Sequence, residues 1–315
     1  VDHFTDSDQT NNSGVYPPKP ILVTKKQNAL TRSIISLLLY AIMFYLIFDQ
    51  NIVYIAAILL VIIIHEMGHF LFMKLFNYSN VKIFIVPLLG AFTSGKKQQV
   101  SQAQLSLIIL AGPLPGIIIG CVLYYLNKDI QSDTLKMLSN SFLLINLLNC
   151  LPFYPLDGGR LVEILFFKEN HIIRLVFGII SVICLLFLFL YFKSLIMLIV
   201  PIFIGIEIYN EIKYQKIRDY LRTEKINYHT DYETMPDKDF WLIRDCLIMS
   251  FPKKYLGIQP GIYQYTIADS LFIQHVSAVL QVNLKSDLNI FMRIIILLAY
   301  IVALVGPIIL IGLKL

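Results

Sequence analysis

The sequence predicts an all-α polytopic membrane protein of six or seven transmembrane helices, with a small membrane-edge β-hairpin and a small cytosolic domain. Three observations carry this reading. Of the 315 residues, 57% are hydrophobic and only 15% charged, and mean hydropathy is +0.69. That is far from a soluble globular average. The apolar residues fall in runs near the ~20-residue length that crosses a bilayer. The polar residues gather in short connectors and in one long block, 213–289. No strand period or aromatic girdle suggests a β-barrel.

Taken in order, residues 1–29 are polar, contain "SGVYPPKP" and read as a flexible arm. The apolar run after them is of full span length, so they do not read as a secretory signal. The expected spans are 30–48, 52–76, 103–126, 135–151, 171–192, 195–212 and 290–313. The fourth is short and polar, and the fifth and sixth are split only by Lys193 and Ser194, which leaves six or seven crossings. Residues 30–212 would form the membrane core. Residues 213–289 carry mixed charge and the single tryptophan, Trp241, and read as a small soluble domain before the last span. Within that block "MPDKDFWLIRDCLIMSFPKKY" fits a short helix followed by turns.

Between the second and third spans lies "YSNVKIFIVPLLGAFTSGKKQQV", residues 78–100. It is rich in β-branched residues, interrupted by Pro87, Gly90 and Gly95, and ends in Lys96–Lys97. This predicts a β-hairpin at the cytosolic membrane edge. An open strand edge there can pair with an extended peptide by strand addition. Gly90 is the candidate for close backbone approach to such a peptide.

Lys and Arg placement sets orientation. With the N-terminus inside, the segments on that side hold 22 Lys and Arg against 4 outside (Lys128, Lys136, Lys193, Lys314), and 11 against 4 without the eleven from Lys213 through Arg293. The expectation is a multi-pass protein of a bacterial cell membrane, with the N-terminus and 213–289 cytosolic. The net charge of +5 then reflects topology and anionic lipid rather than nucleic acid binding. The four cysteines, Cys121, Cys150, Cys184 and Cys246, stand singly with no C-x-x-C pair. That indicates neither a disulfide framework nor a thiolate zinc site.

The second span contains "VIIIHEMGHFLF", residues 61–72. His65 and His69 are four apart, so on a helix they share one face and both imidazoles can reach one metal ion. Glu66 lies beside them, placed to hold a metal-bound water and take its proton. This is the H-E-x-x-H arrangement of two ligands and a general base. A zinc-bound water ionises near pH 7 and supplies the nucleophile. Chance gives the pattern in a shuffled chain with an expectation on the order of 10⁻³, and ionisable groups in a membrane helix are costly unless paired or coordinated.

A catalytic zinc takes three protein ligands and keeps one open position. On residue type alone, His3, His171, His229 and His275 are possible third ligands. Asp157 is better placed, in "NLLNCLPFYPLDGGR", where Pro152 and Pro155 break the fourth span and Gly158–Gly159 permit a sharp turn. An acidic group at a broken membrane helix is a functional hypothesis. An N-cap of a helix over 158–167 is the structural alternative, and the local sequence does not choose between them.

"HEMGH" in an apolar helix, followed about ninety residues later by "NCLPFYPLDGG", resembles the site-2 protease family of intramembrane zinc metalloproteases. That family has an N-x-x-P-x-x-x-L-D-G motif downstream of its H-E-x-x-H helix. "AGPLPG" at 111–116 is similar to its small-residue segment, with Gly116 where an Asn is frequent. The resemblance covers roughly 30–212. It implies that Asp157 is the third zinc ligand and that Asn149 sits at the active site and holds the substrate strand. For Asn149 a helix-to-helix hydrogen bond is the alternative. It implies one Zn²⁺ per chain and cleavage of a membrane-protein or membrane-anchored peptide substrate in the bilayer, while the charge placement indicates no nucleic acid partner. Of the regulatory modules frequent in the family neither pattern is found: 213–289 is too short for a CBS pair, and a PDZ-like insertion between the two metal motifs is absent. The competing class is a membrane metal transporter or a non-proteolytic metal-binding membrane protein, since transporters also bury His and Asp at broken helices.

Overall fold

The structure is a computed structural model of the chain. It describes residues 16–21, 38, 42, 52–86, 90–97, 99–167, 171–192, 196–266, 268–281 and 283–312. The first expected span, 30–48, therefore lies outside the described residues apart from Leu38 and Ile42. The chain divides into two units, 26–209 with 284–315, and 1–25 with 210–283.

In the larger unit, α1 (Ile52–Leu75) carries the HEMGH sequence. Its buried residues include Val61, His65, Glu66, Gly68 and His69, while Ile63, Met67 and Leu71 are exposed. Polar inside and apolar outside is the arrangement a bilayer favours, because hydrocarbon leaves a charged group no partner. A hairpin follows: β1 (Ser79–Val86) and β2 (Gly90–Lys96) run antiparallel, with Ile83 opposite Thr93, Phe84 opposite Phe92 and Val86 opposite Gly90. This is the hairpin expected in 78–100; its tip, 87–89, lies outside the described residues. After β3 (Gln99–Ser101), Ser101 caps α2 (Gln102–Ala111) by accepting the Gln104 N–H at 3.1 Å.

The expected span 103–126 is two helices joined at Gly112, α2 and α3 (Pro113–Ile130). Pro113 takes the first position of α3, where its missing N–H costs nothing. Gln131, in the left-handed region at φ 53°, then turns the chain into α4 (Asp133–Asn149). Beyond a loop, α5 (Asp157–Val162) runs into a π-helical turn, Glu163–Phe167. Gly158 and Gly159 do not make the sharp turn that was expected of them. Both lie inside α5, and the described glycines with positive φ are Gly257 and Gly261. Their bare Cα atoms instead let α5 lie directly on the loop, where a Cβ would overlap the backbone of Cys150 or Phe153.

The loop 150–156 is anchored from three sides. The Tyr300 hydroxyl, on α10 (Ile290–Gly312), donates to Cys150 O at 2.6 Å. Tyr154 N donates to Ser181 Oγ at 3.0 Å, on α6 (His171–Phe192). The Tyr154 hydroxyl donates to Glu207 Oε2 at 2.9 Å, on α7 (Ile196–Thr223). Around it Ile109, Ile117, Leu161, Leu165 and Ala303 form a buried apolar cluster. Among the described residues three helical stretches are long and apolar enough to cross a membrane: α1, the α2–α3 pair and α10. The protein is a mostly helical membrane protein with small sheets.

The smaller unit holds α8 (Asp237–Ser250) and α9 (Asp269–Val279). The short helix expected near Trp241 is α8, and turns follow it. Its core gathers Leu221, Phe240, Trp241, Leu247, Phe272 and Val276. Two arginines are buried here with their charges engaged. Arg244 lies 5.1 Å from the ring of Trp241 and 4.8 Å from that of Phe272. Arg218 donates to Val279 O at 2.9 Å and Ala278 O at 3.0 Å, and pairs with Glu211 at 2.8 Å. It thereby satisfies carbonyls that the end of α9 leaves open.

Candidate active site

Three side chains from two distant stretches converge. His65 Nε2 lies 3.2 Å from His69 Nε2, and Asp157 Oδ2 is 3.0 Å from the first and 3.3 Å from the second. The three are buried, and among the described residues they are the group able to hold a metal ion. The helical spacing read in the sequence brings the two imidazoles together, and the anchored loop brings the carboxylate.

The ring nitrogens facing away fix the tautomers. His65 Nδ1 lies 2.9 Å from Asn146 Oδ1, and His69 Nδ1 lies 2.8 Å from Ile108 O. Carbonyl oxygens only accept, so both Nδ1 atoms carry a proton, and in the neutral rings both Nε2 atoms present lone pairs. The Asn146 amide orientation is fixed in turn, because its Nδ2 donates to Phe142 O at 2.7 Å. Asp157 Oδ2 is buried close to both Nε2 atoms yet hydrogen-bonded to neither. Two imidazole lone pairs and an orphaned carboxylate oxygen aimed at one point suit a divalent cation. The outer hydrogen bonds are those that orient metal-bound histidines. Asp157 is the first residue of α5 and Leu156 is its N-cap, so the carboxylate points at the histidines and does not cap the helix.

Glu66 is buried beside this cluster. The Thr93 hydroxyl, on β2, lies 2.7 Å from Glu66 Oε2 and 3.2 Å from Glu66 O. A carboxylate and a hydroxyl at this distance form a charge-assisted hydrogen bond that fixes one oxygen and leaves the other available. Gly112 permits the fit of α3 against α1, since a Cβ there would overlap the His69 ring. Gly116 does the same for Asn146, whose amide fills the space that a side chain at 116 would take.

Of the other residues expected at the site, Asn149 lies one turn beyond Asn146 on α4, half-buried, and its amide donates to Ile145 O at 3.0 Å. Gly90 opens β2 opposite Val86. Two polar side chains were not singled out from the sequence. Asn146 had a visible signal, a second amide in the same apolar span. Thr93 had none beyond sharing a strand face with Ala91 and Gly95.

Comparison with known proteins bears on the same stretch. Residues 53–141 match the model of Peptidase family M50. The resemblance drawn from the motifs therefore stands, and the matched segment includes His65, Glu66, His69, Thr93 and Gly112; Asn146, Asn149 and Asp157 lie beyond it. The chain is 30% identical over 114 residues to stage IV sporulation protein FB of Bacillus subtilis, covering 36% of this chain and 40% of that protein. It is 27% identical over 157 residues to a zinc metalloprotease of Methanocaldococcus jannaschii, covering 42% of this chain and 45% of that protein. The matches thus span under half the length of either relative. A solved structure, a site-2 protease from Methanocaldococcus jannaschii, is similar over 56% of this chain and 88% of its own, with 23% identity and a TM-score of 0.43.

Proposed function

We propose that the protein is an intramembrane zinc metalloendopeptidase that hydrolyses peptide bonds in or near transmembrane segments of membrane-protein substrates. The observation that carries this is the convergence of His65, His69 and Asp157 with a buried glutamate one residue from the first histidine. The M50 match over α1 and the two metalloprotease motifs support it.

His65, His69 and Asp157 would hold one Zn²⁺. When bound, zinc polarises a carbonyl and makes a coordinated water acidic near pH 7. Glu66 is the proton carrier. It accepts the proton of the attacking water and returns it to the leaving amine. Thr93 holds one Glu66 oxygen, so the other performs the transfer. Asn146 and the Ile108 carbonyl keep both imidazoles in the tautomer that coordinates. A helical peptide bond is hydrogen-bonded and shielded, so the substrate segment must unwind before it is cut. Asn149 and the β2 backbone near Gly90 are proposed to bind the unwound strand, the first through its free amide carbonyl, the second by strand addition. Six or seven crossings, with the N-terminus and 213–289 cytosolic, complete the reading.

The test is metal content and cleavage measured on the same preparations. The purified protein should hold about one zinc per chain. Glu66→Gln should keep the metal and lose about 10²–10⁴-fold in cleavage of a membrane-helix substrate. Asp157→Asn should lose metal while folding normally. Full cleavage by Glu66→Gln would sink the protease mechanism. A zinc flux that survived that substitution would favour the transporter.

A further inference from the structure

Residues 16–20, Tyr-Pro-Pro-Lys-Pro, lie on the smaller unit, more than two hundred residues from their partners in sequence. The segment is neither helix nor strand. Its conformation is nonetheless set by its own sequence. Three prolines fix their own φ, and Tyr16, Pro17 and Lys19 each precede a proline and are driven to extended backbone. A chain of this kind is stiff before it binds and has few N–H groups of its own.

The unit meets the segment through side chains. The Trp241 indole N–H donates to Pro17 O at 2.6 Å, the Tyr265 hydroxyl to Pro18 O at 2.7 Å and the Tyr232 hydroxyl to Pro20 O at 2.8 Å. Lys19 N donates to Asp237 Oδ1 at 2.9 Å. Its ammonium donates to Glu233 O at 3.0 Å and also to Met235 O, and lies 5.5 Å from the Tyr232 ring centroid. The rings of Tyr16 and Tyr263 are 4.7 Å apart. The groove therefore reads the carbonyls of Pro17, Pro18 and Pro20 with aromatic donors and reads one lysine by its charge. These are the means by which aromatic-lined grooves recognise proline-rich strands. A connector held only by bulk packing would not require three aromatic donors aligned on one segment.

We propose that the 210–283 unit is a recognition module for extended proline-rich segments of the Pro-Pro-Lys-Pro kind, occupied in cis by residues 16–20, and that a segment of the same chemistry supplied in trans competes for it. The site does not depend on the metal cluster. Preorganisation of the ligand limits the entropy lost on binding, which makes a short segment sufficient.

Trp241 is the chain's one tryptophan and forms part of the groove, so its emission reports occupancy in the full-length, detergent-solubilised protein. Lys19→Glu places a carboxylate beside Asp237 and removes both ammonium hydrogen bonds and the contact with the Tyr232 ring. It should vacate the groove and shift Trp241 emission to the red. Replacing Pro17, Pro18 and Pro20 together by Ala should do the same by removing the stiffness. Adding the peptide of residues 15–21 to either variant should reverse the shift with saturation. The peptide carrying Glu at the lysine position should bind about tenfold more weakly or worse. Tyr265→Phe in the groove, which keeps the ring, should weaken the wild-type peptide several-fold, while circular dichroism stays unchanged. A red shift that no peptide reverses, or peptide binding indifferent to the lysine, would overturn the module and leave the contact a fixed part of the fold.

Discussion

Asn146 Oδ1 stands 2.9 Å from His65 Nδ1, joining α4 to α1 across 81 residues of sequence. Asn146 is fully buried, its other amide atom is held by Phe142 O, and Gly116 gives it room. One side chain thus sets the tautomer of a proposed ligand. Asn146→Leu should keep the helix and remove the acceptor. Zinc affinity should fall about 10–100-fold, the usual cost of losing an outer partner of a metal-bound histidine. Competition with a chromogenic chelator reads this directly. Unchanged affinity would show that the imidazole is oriented by packing alone.

Thr93 differs in what it touches, and so in what its loss should do. Its hydroxyl reaches the Glu66 carboxylate and none of the three converging ligand atoms. Thr93→Val keeps the β-branched shape of the strand and removes the donor. Metal content should remain, while cleavage falls by about 10–100-fold, the range that one hydrogen bond to a charged group is worth. Thr93→Ser should restore most of it. If Thr93→Val lost zinc as well, β2 would be holding up α1, and the reading of a positioned base would fail.

Sidedness follows from Lys and Arg asymmetry near the spans. In a background without the native cysteines, Ser250→Cys should resist an impermeant thiol reagent in intact cells and label once the membrane is opened. Ser132→Cys, in the turn between α3 and α4, should label in intact cells. Reversal at both would turn the molecule over. Reversal at Ser250 alone would merge the fifth and sixth expected spans into one interrupted crossing.

The legible parts of the molecule are those encoded locally. His65, Glu66 and His69 share a helix, so their juxtaposition needs only the helical period. The hairpin was visible as a β-branched stretch between punctuating glycines and a proline. Asp157 required knowledge of a loop held by Tyr300, Ser181 and Glu207, contacts of a kind that no period reveals. That Asn146 was not singled out beside Asn149 shows the same limit. Both lie in one polar turn of α4, and only the crossing with α1 distinguishes the amide that meets His65 from the one bonded to its own helix. Gly158 and Gly159 were read as turn residues, whereas the fold uses their lack of a side chain to bring backbone onto backbone.

The pairing of Gly116 with Asn146 offers a test by exchange. The family resemblance notes that an asparagine is frequent where this chain has Gly116. Here a side chain at 116 would collide with the Asn146 amide, so both positions address one space. Gly116→Asn alone should displace Asn146, loosen His65 and weaken zinc binding. Asn146→Gly alone should weaken it by losing the acceptor. The double substitution removes the collision and returns an amide to that space from the facing helix. Its zinc affinity should therefore exceed what the two single losses predict when added, by a coupling of about 0.5–3 kcal/mol, the range for residues in contact. Strict additivity would mean that the two positions do not share the space, and that Asn146 alone carries the orientation of His65.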